Sequence, residues 1–72
     1  MQMRIEARTG EPGTTQPAEL ADTTITERRA EAARCAREFL RCGYWVEIFD
    51  EESGELVAGP FDPDGSEPAY IV

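Results

Sequence analysis

The sequence predicts an α+β domain: one helix packed on a three- or four-stranded antiparallel sheet, in βαββ or ββαββ order. Three observations carry this expectation. Residues 1–8 alternate apolar and polar, residues 26–43 hold a helical stripe closed by a glycine, and residues 44–61 read as two strands about a short turn. At 72 residues and 8.0 kDa the chain makes one domain, 1–72. A chain of this size buries only roughly 60% of its unfolded surface, which excludes a doubly wound nucleotide-binding domain or a repeat array.

In the first strand Met1, Met3, Ile5 and Ala7 face one way, and Gln2, Arg4, Glu6 and Arg8 the other. Residues 9–19, TGEPGTTQPAE, carry two Gly and two Pro and are expected to form a flexible loop. Leu20 to Ile25 fits either a second strand or an extended lead-in to the helix.

The helix spans TERRAEAARCAREFLRCG. Thr26 is a candidate N-cap with Ile25 and Ala30 as a hydrophobic staple; alternatively Thr24 caps and Glu27 closes a capping box. At ~100° per residue, Ala32, Ala33, Cys35, Ala36, Phe39, Leu40 and Cys42 cover one half of the wheel. Glutamates concentrate early and arginines late, as the helix dipole favours. Gly43 is the expected left-handed stop.

The hairpin runs from Tyr44 to Phe61, with Glu51, Glu52, Ser53 and Gly54 connecting its strands. If Asp50 faces Glu55, Ile48 pairs with Val57 and Phe49 with Leu56. Tyr44, Val46, Ile48 and Val57 then share one face, and Trp45, Phe49 and Leu56 the other, interrupted by Glu47. One helix covers only one face, so the other presents an aromatic patch to water or to a partner. Residues 62–72 form a C-terminal tail: Asp62 to Gly65 is turn chemistry, and Ala69 to Val72 adds an edge strand or stays mobile.

Catalysis is disfavoured by what the chain lacks. It has no His or Lys, and its only serines are Ser53 and Ser66, so nothing ordinary activates a nucleophile. The thiols of Cys35 and Cys42 lie on the helix's apolar side, read as small buried apolar groups, where a thiolate is disfavoured. Seven residues of helix hold them ~10 Å apart, too far for a mutual disulfide. Two cysteines without His make a poor zinc site. The run DPDGSE fails the calcium-loop pattern, since Gly65 falls at the fourth place counted from Asp62. No catalytic residue, metal or cofactor is expected. No apolar run approaches the roughly 18–20 residues of a membrane span, and the N-terminus lacks a signal's apolar stretch, so a cytoplasmic protein is expected.

Charge is the strongest functional signal. Residues 1–41 hold seven acids and seven arginines. Residues 42–72 hold eight acids and no base, so the whole net charge of -8 lies there. Such a field repels nucleic acid and speeds association with basic surfaces. The five arginines between 28 and 41 share their exposed arc with Glu27, Glu31 and Glu38, which reads as an ion-paired helix face rather than a phosphate track. The candidate partner-binding residues are therefore Trp45, Glu47, Phe49, Asp50, Glu51, Glu52 and Glu55: carboxylates to steer and pair with Arg or Lys, rings to anchor. The alternative use of the rings is homodimerisation through Trp45, Phe49 and Leu56.

The layout of MQMRIEA as strand, TERRAEAARCAREFLRCG as helix and YWVEIFDEESGELVAG as hairpin resembles small phage-borne inhibitors, notably anti-CRISPR proteins. The resemblance covers residues 1–61. It implies a non-catalytic inhibitor, acting in the host bacterial cytoplasm, that blocks a CRISPR effector's nucleic-acid groove or protein surface. Such inhibitors share little sequence, so no binding residue is carried over by position.

Overall fold

In a computed structural model, which describes residues 1–14 and 17–72, the elements run β1 (Met3–Arg8), β2 (Leu20–Thr26), α1 (Arg29–Arg41), β3 (Trp45–Asp50) and β4 (Leu56–Phe61). All neighbours pair antiparallel in the order β2-β1-β3-β4, with α1 packed on one face. The stretch from Leu20 that fitted two descriptions is thus a strand, and it forms one edge of the sheet.

Alternation in β1 puts Met3, Ile5 and Ala7 under the helix, beside Val46 and Ile48 of β3. Against them α1 buries Ala32, Ala36 and Leu40, one column of residues four apart. Small side chains in that column let the helix backbone approach the sheet closely. Phe39 and Ala33 flank it, half-buried.

The helix starts later than its threonines suggest. Thr26 is still paired with Met3 at the end of β2, so helical dihedrals cannot begin before Arg28, which stands at the N-cap with no side-chain cap. The Thr26 hydroxyl instead accepts the Arg28 N–H at 3.2 Å. Thr24 lies within β2, and Ile25 is 52% exposed on the far face of the sheet, so neither the capping box nor the staple forms. The C-terminus follows expectation. Gly43 has φ 89°, its N–H donates to Leu40 O at 3.0 Å, and Tyr44 N–H donates to Phe39 O at 3.1 Å. This is a Schellman closure, and Gly is the residue whose backbone reaches that φ without a Cβ clash.

The cysteines depart from the buried reading. Cys42 is the C-cap, beyond the sheet, and is exposed; Cys35 sits on the flank of the buried column and is half-buried. Burial pushes the Cys35 thiol up, against the lowering effect of Arg34, so the thiolate is disfavoured there. Both are free.

The β3–β4 connection is the four-residue turn expected, with Asp50 N–H donating to Glu55 O at 2.9 Å and Gly54 N–H to Asp50 O at 2.8 Å. Phe49 pairs with Leu56, but Ile48 pairs with Ala58 rather than Val57, and Val46 with Phe61. Two irregularities therefore interrupt β4. Val57 is the extra residue of the first, and Gly59 (φ 102°) sits in the second, where a Cβ would come 2.6 Å from Val46 O. With Pro60 lacking an N–H, this edge of the sheet is blunted.

The tail neither extends the sheet nor hangs free. The helix packs over β1, β2 and β3 and leaves the β4 flank uncovered. Ile71, 5% exposed, joins the core cluster, against which Ala58 and Phe61 of β4 and Val72 of the tail also pack. Glu67 anchors the tail to the helix, accepting from Arg41 at 3.1 Å and lying 3.5 Å from Arg37. The β1–β2 loop is laced at its base: Thr9 N–H donates to Glu19 O at 2.9 Å and Arg8 to Ala18 O at 2.9 Å. Thr15 and Gln16, which fall in the stretch expected to be flexible, lie outside the described residues. Among the described residues, no helix is long and apolar enough to cross a membrane.

Candidate functional site

Among the described residues, no helix or strand packs on the face of the sheet opposite α1. Because side chains alternate along a strand, β3 sends Trp45, Glu47 and Phe49 to this face while Val46 and Ile48 go to the core. β1 sends Arg4, Glu6 and Arg8 to it. Register sets the pairs: Trp45 stands opposite Arg8, Glu47 opposite Glu6, and Phe49 opposite Arg4. Ile25 of β2 lies beyond Arg4, and Leu56 of β4 beyond Phe49. A row Ile25–Arg4–Phe49–Leu56 thus crosses all four strands, and its two ends are 52% and 47% exposed.

Two arginines organise the polar part. Arg4 Nε donates to Glu6 at 2.9 Å and Arg4 Nη1 to Glu51 at 2.9 Å, and its guanidinium lies 5.1 Å from the centre of the Phe49 ring. The Glu6 and Glu51 hydrogen bonds hold Arg4 more firmly in its charged form. Arg8 donates to Glu6 at 2.9 Å and to Ala18 O at 2.9 Å. Glu6, 11% exposed at its side chain, is thereby clamped from both sides. Glu47 is nearly as enclosed, at 13%, yet its nearest cation is Arg8 Nε at 3.7 Å. Burial pushes its carboxyl above the ordinary range; Arg8 opposes this and the facing Glu6 adds to it.

The other carboxylates gather at the turn. Asp50 is held locally, its Oδ1 accepting the Glu52 N–H at 2.9 Å. Glu52 and Glu55 are exposed. Among the candidate residues, Phe49, Asp50, Glu51, Glu52 and Glu55 therefore stand together at the turn. Trp45 lies at the opposite end of β3, about 13 Å from Phe49 along the strand. Asp62, Asp64 and Glu67 lie elsewhere: Asp62 Oδ1 accepts the Asp64 N–H at 2.8 Å, and Glu67 is spent on the helix arginines.

Arg4, Glu6, Arg8 and Ile25 belong to this face and were not among the residues singled out in the sequence. Their signal was present in the polar alternation of MQMRIEAR, but only the β1–β3 pairing shows that they sit against Trp45, Glu47 and Phe49. Among the described residues, no three His, Cys, Asp or Glu side chains are placed to hold a metal ion. Comparisons with protein-family models, with curated proteins and with solved structures find no match to this chain.

Proposed function

We propose that this chain is a non-catalytic acidic inhibitor that binds a basic surface of a protein partner and so keeps nucleic acid from engaging it. The observation that carries the reading is the join of the anionic turn, Asp50 to Glu55, to the apolar row through Phe49 and Leu56. Exposed carboxylates accelerate encounter with a basic partner, and adjacent rings and aliphatic groups hold it once water is excluded. The resemblance of the layout to anti-CRISPR proteins supports a CRISPR effector as the target and the bacterial cytoplasm as the place of action. A chain without His or Lys lacks the usual bases that activate a serine or thiol nucleophile, which favours binding over catalysis.

The test is capture from a bacterial lysate, followed by kinetics on the retained complex. Reversing Glu52 and Glu55 to Lys is expected to slow association about tenfold or more at low salt, with a smaller effect on dissociation. Rates indifferent to both salt and charge reversal would refute the reading.

The sheet face opposite α1, which carries Trp45, Phe49 and Leu56, favours a second reading, a homodimer joined through these three residues. Sedimentation of the purified chain separates the two: a concentration-independent monomer supports the inhibitor, and a dimer with Trp45 shielded from a soluble quencher supports assembly.

A further inference from the structure

Resting on the protein-binding reading above, we infer that Trp45 and Glu47 form a receptor for one arginine side chain of the protein partner. The cationic donors of the open face are already engaged. Arg4 spends its short bonds on Glu6 and Glu51, and Arg8 on Glu6 and the Ala18 carbonyl. Among the described residues, Glu47 receives only a 3.7 Å approach from Arg8, although its side chain is 87% withdrawn from water and faces the carboxylate of Glu6. Four ion pairs link Glu6, Glu47 and, from the turn, Glu51 to Arg4 and Arg8, and the longest of them, Arg8 Nε to Glu47 at 3.7 Å, leaves Glu47 the least closely paired. A cation brought from outside completes it.

The neighbouring ring selects which cation. Trp45 is two residues away on the same strand, on the same face, and half-buried. Phe49, on the other side, already carries the guanidinium of Arg4. Indole is the strongest aromatic host for a cation, and a planar guanidinium can lie on the ring while its N–H fork reaches a carboxylate. A lysine ammonium, a compact and strongly hydrated point charge, gains less from such a pair. Arg4 on Phe49 with Glu6 and Glu51 shows the same combination already satisfied within the chain, two rungs along the sheet.

Trp45 is the only tryptophan, so its fluorescence reports on this place alone. The probe is a capped Gly-Arg-Gly peptide titrated into the full chain, with capped Gly-Lys-Gly as control, read by Trp45 emission and by backbone amide shifts of residues 44–49. The arginine peptide is expected to bind more tightly than the lysine peptide. Glu47→Gln is expected to weaken it about tenfold, the loss of one charge-assisted pair. Trp45→Leu, read by the amide shifts, is expected to weaken it about fivefold. Glu38→Gln, on the exposed surface of α1, is expected to leave it within about twofold, since exposed charges off the site contribute little.

Unchanged binding in Glu47→Gln, equal binding of the two peptides, or no shift at residues 44–49 would each overturn the receptor. None of these would touch the wider reading, whose test is the effect of turn charges on association with the captured partner. Conversely, a receptor that passes beside a partner indifferent to the turn would retain the arginine site and discard the steering role.

Discussion

Glu47 shows how one side chain sets two properties against each other. Its carboxyl titrates above the ordinary range, chiefly through burial, with Arg8 opposing and Glu6 reinforcing. As pH rises, the unfolded chain therefore releases this proton first, and folding stability falls through the window between the ordinary and the raised value. Glu47→Gln removes that loss. The variant is expected to be more stable than the parent at pH 7 and to show a shallower decline as pH rises out of the acidic range, measured by urea denaturation. A side chain that lowers stability while only loosely paired is what a binding site at this position predicts. The buried alanines make the opposite case. Ala36 is fully buried against the sheet, so Ala36→Leu is expected to destabilise by about 1–3 kcal/mol through overpacking, despite leucine's good helix propensity.

At the scale of elements, the tail behaves as part of the core. Ile71→Ala is expected to cost about 2–4 kcal/mol in chemical denaturation, the range for emptying a buried aliphatic site. Glu67→Ala, which releases only exposed ion pairs, is expected to cost less than about 1 kcal/mol. This ordering was illegible in the sequence, because AYIV is too short to show a period and nothing in it says that the helix leaves the β4 flank bare. The helix stop and the β3–β4 turn were legible, since Gly43 and the Asp50–Glu55 spacing act through local geometry. The helix start was not. Thr24 and Thr26 are good caps on their own, but pairing with Ile5 and Met3 keeps them extended. The β4 register likewise escaped, because Val57 and Gly59 are accommodated by bulges that hydrophobic alternation cannot encode. For the candidate site, the ring-bearing strand was readable from alternation, whereas its arginine counterpart required knowing that β1 lies between β2 and β3.

Over the whole molecule, the charges sort into territories. The helix surface carries arginines answered by Glu38 and Glu67, the open sheet face is close to neutral, and the β3–β4 turn holds Asp50, Glu51, Glu52 and Glu55 together. With a net charge of -8 on 72 residues, general self-repulsion exceeds the gain from a few exposed pairs. Raising salt is therefore expected to increase the thermal midpoint by a few degrees, followed by circular dichroism, whereas association with a basic partner weakens over the same range. A fall in the midpoint with salt would mean that the arginine–glutamate network outweighs the repulsion.

Met1 and Val72 line one shallow cavity beside Met3 and Ile71. The backbone thus travels a near-closed circuit and ends almost where it set out. The order in which its pieces are strung is accordingly a matter of where the circuit is cut. A permuted gene that bridges these two residues with a short glycine–serine link, and opens instead in the 9–19 loop, should yield the same sheet with β2 leading and β1 last.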